Sequence, residues 1–119
     1  MKSLEVEAQI VKVRVISLSK WEFPGEFPTF KEGTPVVLTG GEDDDFAGWY
    51  PCEIEGLSTF VPQTFLRDGK LTRDYNPTEL IVREGDELEV LEIVNAWLIA
   101  KNSKGIIGWI AAECVVGKK

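Results

Sequence analysis

The side chains able to do chemistry in this 119-residue chain are carboxylates, two thiols and aromatic rings, because it holds no histidine. That removes the usual general base, the commonest metal ligand and any Ser/His or Cys/His nucleophile pairing. A base would have to be an acid or a lysine. Carboxylates such as Glu22 and Asp45 are present, but no motif places a pair of them. Cys52 and Cys114 form no CxxC and no metal-ligand spacing, and read as reduced, partly buried thiols. No catalytic residue, metal ligand or cofactor is assigned, and the chain is read as non-enzymatic.

The charge balance narrows the partners. A net charge of −7 disfavours a large contact with nucleic acid, where Lys and Arg must meet phosphates, and suits a basic partner by long-range attraction. An acidic balance is also common in soluble proteins, and 44% apolar with 28% charged residues is ordinary for one. No run approaches the roughly 18 apolar residues of a membrane span. The stretch from Met1 to Glu7 lacks the apolar centre of a signal peptide. The expectation is a cytoplasmic protein without a membrane contact.

The elements that must position these groups come from an internal repeat. With Gly33 set on Gly85, Trp21-Glu22-Phe23 falls on Arg73-Asp74-Tyr75, and Phe30-Lys31-Glu32-Gly33-Thr34 on Val82-Arg83-Glu84-Gly85-Asp86. Trp49 then falls on Trp97, Gly56 on Gly105, and Phe60-Val61-Pro62 on Trp109-Ile110-Ala111. Positions kept in both copies are read as structural, and positions that differ as candidates for function. Each copy would be a unit of roughly 50–60 residues, near the lower limit for folding without metals or disulfides.

Short β-branched stretches broken by Gly and Pro predict an all-β fold. Val11-Lys12-Val13-Arg14-Val15 alternates, so one face can be buried, and the stretch from Glu87 to Val94 does much the same. Glu32-Gly33 and Glu84-Gly85 read as turns before strands, and Asn102-Ser103-Lys104-Gly105 and Ile54-Glu55-Gly56-Leu57 as hairpin loops. Pro51 inside a strand pattern predicts a local distortion. Arg67-Asp68-Gly69-Lys70 reads as a brief join between the copies, holding them in a fixed arrangement. The predicted division is 1–67, with an N-terminal strand extension, and 70–119.

The second copy resembles an SH3 domain. Glu79 to Leu91 is similar to the family's acidic-Leu-x-Phe-x-x-Gly-Asp stretch, Ala96 to Lys101 to its Trp-Trp-Leu-Ala-Arg strand, and Gly105 to Ile110 to its Gly-x-x-Gly-Trp-Ile closing strand. Asp74-Tyr75 stands where the Ala-Leu-Tyr-Asp-Tyr motif ends. Through the repeat, the whole chain resembles a tandem pair of SH3-like barrels of the prokaryotic, variant kind. The resemblance implies two five-stranded barrels, closely packed, and a groove that docks proline-rich peptides. Carried over by position, the second copy keeps only Tyr75 and Trp97 of five groove residues; Arg73, Ala111 and Cys114 replace the others. The first copy has Trp21, Phe23, Trp49, Pro62 and Phe65, with Glu22 and the acidic loop residues Asp43, Asp44 and Asp45 beside them. The implied function is a protein- or peptide-binding module using this first-copy groove to dock proline-containing or basic extended segments.

Rival readings use the same residues. The rings could fill the core or the junction between units, as in a structural or assembly protein with no peptide ligand. The Asp43–Asp45 run also has the plainer reading of a solvated loop. A cage for a methylated lysine would need three rings converging at right angles.

Overall fold

The computed structural model describes residues 11–18 and 25–117. Among these there is no α-helix; the structure is mostly β, as its β-branched, turn-rich sequence predicts. The strands are β1 (Val11–Val15), β2 (Val37–Leu38), β3 (Trp49–Ile54), β4 (Leu57–Pro62), β5 (Leu66–Arg67), β6 (Lys70–Leu71), β7 (Glu87–Val94), β8 (Trp97–Lys101), β9 (Ile107–Ala111) and β10 (Val115–Gly117). One turn of 3-10 helix, Gln63–Phe65, precedes β5, and another, Ala112–Cys114, precedes β10. The strands assort as a five-stranded sheet in the order β10-β1-β7-β8-β9, a three-stranded sheet β2-β3-β4, and the pair β5-β6. None of the three closes on itself into a barrel.

Strand pairing crosses the expected boundary near residues 67–70 in both directions. β1 lies antiparallel between β7 and β10, with Val13 opposite Leu88 on one side and Gly117 on the other. β6 pairs with β5, and Lys70 bridges Pro35 just ahead of β2. The segments around Gly33 and Gly85 thus make matching hydrogen bonds, each to a strand from the other side of residues 68–69. Gly33 N–H donates to Leu71 O and Leu71 N–H to Thr34 O; Gly85 N–H donates to Val15 O and Val15 N–H to Asp86 O. Thr72 N–H donates to Phe65 O, and Ile16 N–H to Cys114 O. Gly33 and Gly85 hold φ of 87° and 91°, a left-handed geometry that Gly adopts without steric cost. Between these strands the connecting segments run against each other, Phe30 and Tyr75 exchanging backbone bonds of 2.8 Å each way.

Asp68 and Gly69, expected as part of a join, form the turn of the β5–β6 hairpin, with φ of 53° and 73°. Asp-Gly is a strong two-residue hairpin signal, because both positions must take positive φ. The turns predicted at Glu55-Gly56 and Asn102 to Gly105 are present; the Asn102 carboxamide oxygen holds the latter by accepting from Lys104 and Ile106 N–H. Pro51 brings no register shift: β3 pairs with β4 continuously from Trp49 to Ile54.

Two apolar cores share the sheet. One gathers Val13, Val15, Leu80, Leu88, Leu98, Ala100, Ile110, Ala111 and Cys114. The other holds Phe30, Val36, Trp49, Cys52, Ile54, Val61, Phe65, Leu71 and Tyr75, and recruits Val94 and Trp109 from the five-stranded sheet. The alternation predicted from Glu87 to Val94 is broken by a bulge between Val90 and Glu92. One extra residue reverses which face later side chains take. Leu88 therefore enters one core and Val94 the other. β8 serves both: Leu98 and Ala100 face one core, and Ile99 packs on the other.

Candidate functional site

Rings gather where the crossing segments meet the sheets. β3 supplies Trp49, β4 Phe60, β8 Trp97 and β9 Trp109, while the segment after β6 brings Tyr75 and the segment after residue 24 brings Phe27. Together with Pro51, Pro77, Glu79 and the hydroxyls of Thr39, Ser58 and Thr59, they line a cavity of about 360 Å³. That is within the usual range for ligand sites, roughly 300–1,000 Å³. Phe60 is 46% exposed, so the cavity opens to solvent beside it. Trp49, Phe60 and Trp97 also line a smaller hollow with Phe46 and Asp43. Phe46 packs edge-on against Trp97 at 5.2 Å, and Trp109 edge-on against Trp49 at the same separation.

Sheet geometry and backbone carbonyls fix these rings. Trp49 Nε1–H donates to Asn95 O at 2.9 Å, and Trp109 Nε1–H to Asn76 O at 2.8 Å. The Tyr75 hydroxyl donates to Phe60 O at 2.6 Å, and burial pushes its phenol well above its usual pKa. These polar groups are therefore engaged within the fold. The Trp97 indole N–H makes no such bond among the described residues. Glu79 is half-buried, and that burial raises its carboxyl above the usual range. Desolvation pushes the Cys52 thiol up to about 11 and also raises Cys114, so neither offers a thiolate nucleophile near neutral pH.

The expected site residues are distributed unevenly. Trp21, Glu22 and Phe23 lie outside the described residues. Trp49 is 6% exposed and Phe65 3%, and Pro62 is buried as well. They are core positions and not the open walls of a groove. The reason is the junction: Val94 and Trp109 from the five-stranded sheet close over this face, and Phe65 packs between Tyr75 and Trp109. Trp49 still contributes to the cavity lining; Pro62 and Phe65 do not. Asp43 accepts from the N–H groups of Asp45 and Phe46, and Glu42 from Gly48, so these acids first hold their own loop. Asp44 and Asp45 stand exposed. Of the second-copy remnants, Tyr75 is buried and Trp97 half-buried, and both line the cavity.

Several lining residues were missed by sequence reasoning. Trp109 was placed only in the closing strand and Glu79 only in the acidic-Leu stretch, and Phe27 and Pro77 carried no signal of their own. Their convergence depends on the crossing of two segments about fifty residues apart, which one strand pattern does not reveal. Arg73, assigned above as a lost groove position, links β7 to the 3-10 turn before β5. Its guanidinium makes a two-pronged ion pair with Glu92 at 2.7 and 2.8 Å and lies 4.3 Å from the centre of the Phe65 ring.

No helix among the described residues is long and apolar enough to cross a membrane. No protein-family model matches the chain, and no solved structure matches it. Over 88 residues it is 30% identical to the human protein named SH3 and multiple ankyrin repeat domains protein 2. That stretch is 74% of this chain and only 5% of the human protein's length.

Proposed function

We propose that the chain is a non-enzymatic protein-binding module made of two SH3-like units in tandem, 1–67 and 70–119 by sequence, whose leading strands are exchanged. In this reading β10-β1-β7-β8-β9 is one unit, and β5-β6 with β2-β3-β4 is the other. The module docks a proline-containing or basic extended segment of a partner protein. The observation that carries this reading is the aromatic cavity between the units, open beside Phe60 and Trp97, with Asp43 at its neighbouring hollow and Asp44 and Asp45 exposed on the same acidic loop. Flat rings suit a preorganised polyproline II ligand, and the acids suit its basic residues. The likeness to a human protein with SH3 in its name agrees with this class. Two free, buried thiols suit a cytoplasmic setting.

The test is titration of the full chain with proline- and arginine-containing peptides, followed by Trp fluorescence and amide shifts. Shifts centred on Trp97, Phe60 and Glu79, lost in Trp97→Ala, are expected. Absence of any shift, or shifts confined to surfaces away from the cavity, would count against it.

A second reading has its own observation. Trp49, Phe65, Tyr75 and Trp109 are each no more than 6% exposed, as rings serving assembly would be. A structural or assembly protein would show a dimer by light scattering and no response to peptides.

A further inference from the structure

We infer that the cavity between the crossing segments receives a methylated lysine side chain of a partner protein, with Glu79 as its counter-charge. This rests on the protein-binding reading and specifies what enters the site. The walls have the geometry that a soft cation requires. Trp109 stands at 87° to Trp49 and at 82° to Tyr75, with ring centres 5.2 and 6.0 Å apart. Trp97 is tilted 56° from Trp49 at 6.0 Å. Edge-to-face contact fixes the angles of these rings, and Trp49, Tyr75, Trp97 and Trp109 all line the cavity, where ring surface attracts a cation.

The charge at the site agrees. Among the described residues Glu79 is the only charged side chain lining the cavity, and no Lys or Arg is paired with it. A carboxylate half withdrawn from water beside apolar rings, with no cation paired to it among the described residues, is compensated by an entering one. The walls also choose between cations. Trp49, Tyr75 and Trp109 have spent their polar atoms on backbone carbonyls. A bare ammonium would give up three strong hydrogen bonds to water on entry. A methylated one has fewer to lose and more apolar surface to bury. The cavity of about 360 Å³ has room for the methylated head and part of its stem.

The experiment uses the full chain and two single-residue probes, N-acetyl-trimethyllysine amide and a neutral counterpart ending in a tert-butyl group of the same shape. Binding is read by Trp fluorescence and by the indole N–H resonances. The cation is expected to bind at least tenfold more tightly than the neutral probe. Glu79→Gln is expected to remove most of that preference while leaving the neutral probe unchanged. Equal binding of the two probes, no binding of the cation, or a preference indifferent to Glu79→Gln would overturn the inference. The probe comparison needs no variant, so it stands even if Glu79→Gln folds poorly. A proline- and arginine-containing peptide titrated alongside separates the two readings. If that peptide binds at the cavity while the probes are not distinguished, the methyllysine inference falls and the docking function survives. If neither binds, both fall.

Discussion

Trp49 and Trp97, which align by sequence when Gly33 is set on Gly85, sit in different surroundings. Trp49 is buried, with part of it lining the cavity and its indole N–H tied to Asn95 O; Trp97 is half-buried with its N–H unclaimed by any described residue. The surrounding positions differ in the same sense. At the end of the first 3-10 turn stands Phe65, ringed by Tyr75, Trp109 and Arg73; at the end of the second stands the small Cys114. The backbone frames agree bond for bond around Gly33 and Gly85. What separates the halves is therefore side-chain volume at the junction. Phe65 is locked among Tyr75, Trp109 and Arg73 where the segments cross, whereas Trp97 stands at the edge of an open cavity.

The sharpest way to break this comparison is to remove β1. Val13 and Val15 are buried in the core of the five-stranded sheet, each worth about 1.5–3 kcal/mol, and β1 is hydrogen-bonded on both edges. A chain lacking residues 1–17 is expected to lose cooperative unfolding of that sheet, seen by hydrogen exchange at β7 and β8, while β3 and β4 keep more protection. A smaller loss follows from adding one carbon at either of two glycines. A Cβ on Gly108 would stand 2.9 Å from the Leu80 backbone N, where two backbone bonds hold the crossing segment to β9. Gly108→Ala is expected to cost about 2–3 kcal/mol in denaturant. Gly48→Ala, which meets only the movable Asn95 side chain but sits at a φ of 84°, is expected to cost about 1 kcal/mol.

Replacing each Trp by Phe sharpens the contrast further. Trp49→Phe leaves the Asn95 carbonyl without its donor and is expected to cost about 1–2 kcal/mol. The same change at Trp97 strands no described acceptor and is expected to cost under about 0.5 kcal/mol while weakening ligand binding. Arg73→Ala, at a partly exposed site, is expected to cost about 1 kcal/mol, less at high salt. Its pH signature has a definite sign. The hydrogen bond and charge of Arg73 hold the Glu92 carboxyl below its ordinary 4.5. That stabilisation is complete above 4.5 and is lost as pH falls through the lowered value. Acid titration of stability should show this loss in the natural chain and not in Arg73→Ala.

Local features were legible in the sequence and long-range partnerships were not. The Val13 and Val15 face of β1, the turns at Gly33 and Gly85 and the Asn102 loop all follow from periodicity or turn chemistry within a few residues. The β class follows from the same signals. The partner of β1 does not, because an alternating strand states which face is buried and not which edges it will join. The bulge near Leu91 was hidden for a related reason: its cause is a second core on the far face of the sheet, which the run of alternating residues does not announce. Asp68-Gly69 carries a readable two-residue hairpin signal, and it forms the β5–β6 turn. The burial of Trp49 and Phe65 was not legible, because it is set by Val94 and Trp109, far away in the chain.

The crossing of strands has a mechanical consequence. A protease that cut only between Asp68 and Gly69 would produce two fragments, each retaining a ribbon that completes its counterpart. Val11–Val15 would still be clasped by the C-terminal piece, and Lys70–Leu71 by the N-terminal one. The nicked molecule should migrate as one species until denatured, like two links of a chain whose rings have been opened but not drawn apart.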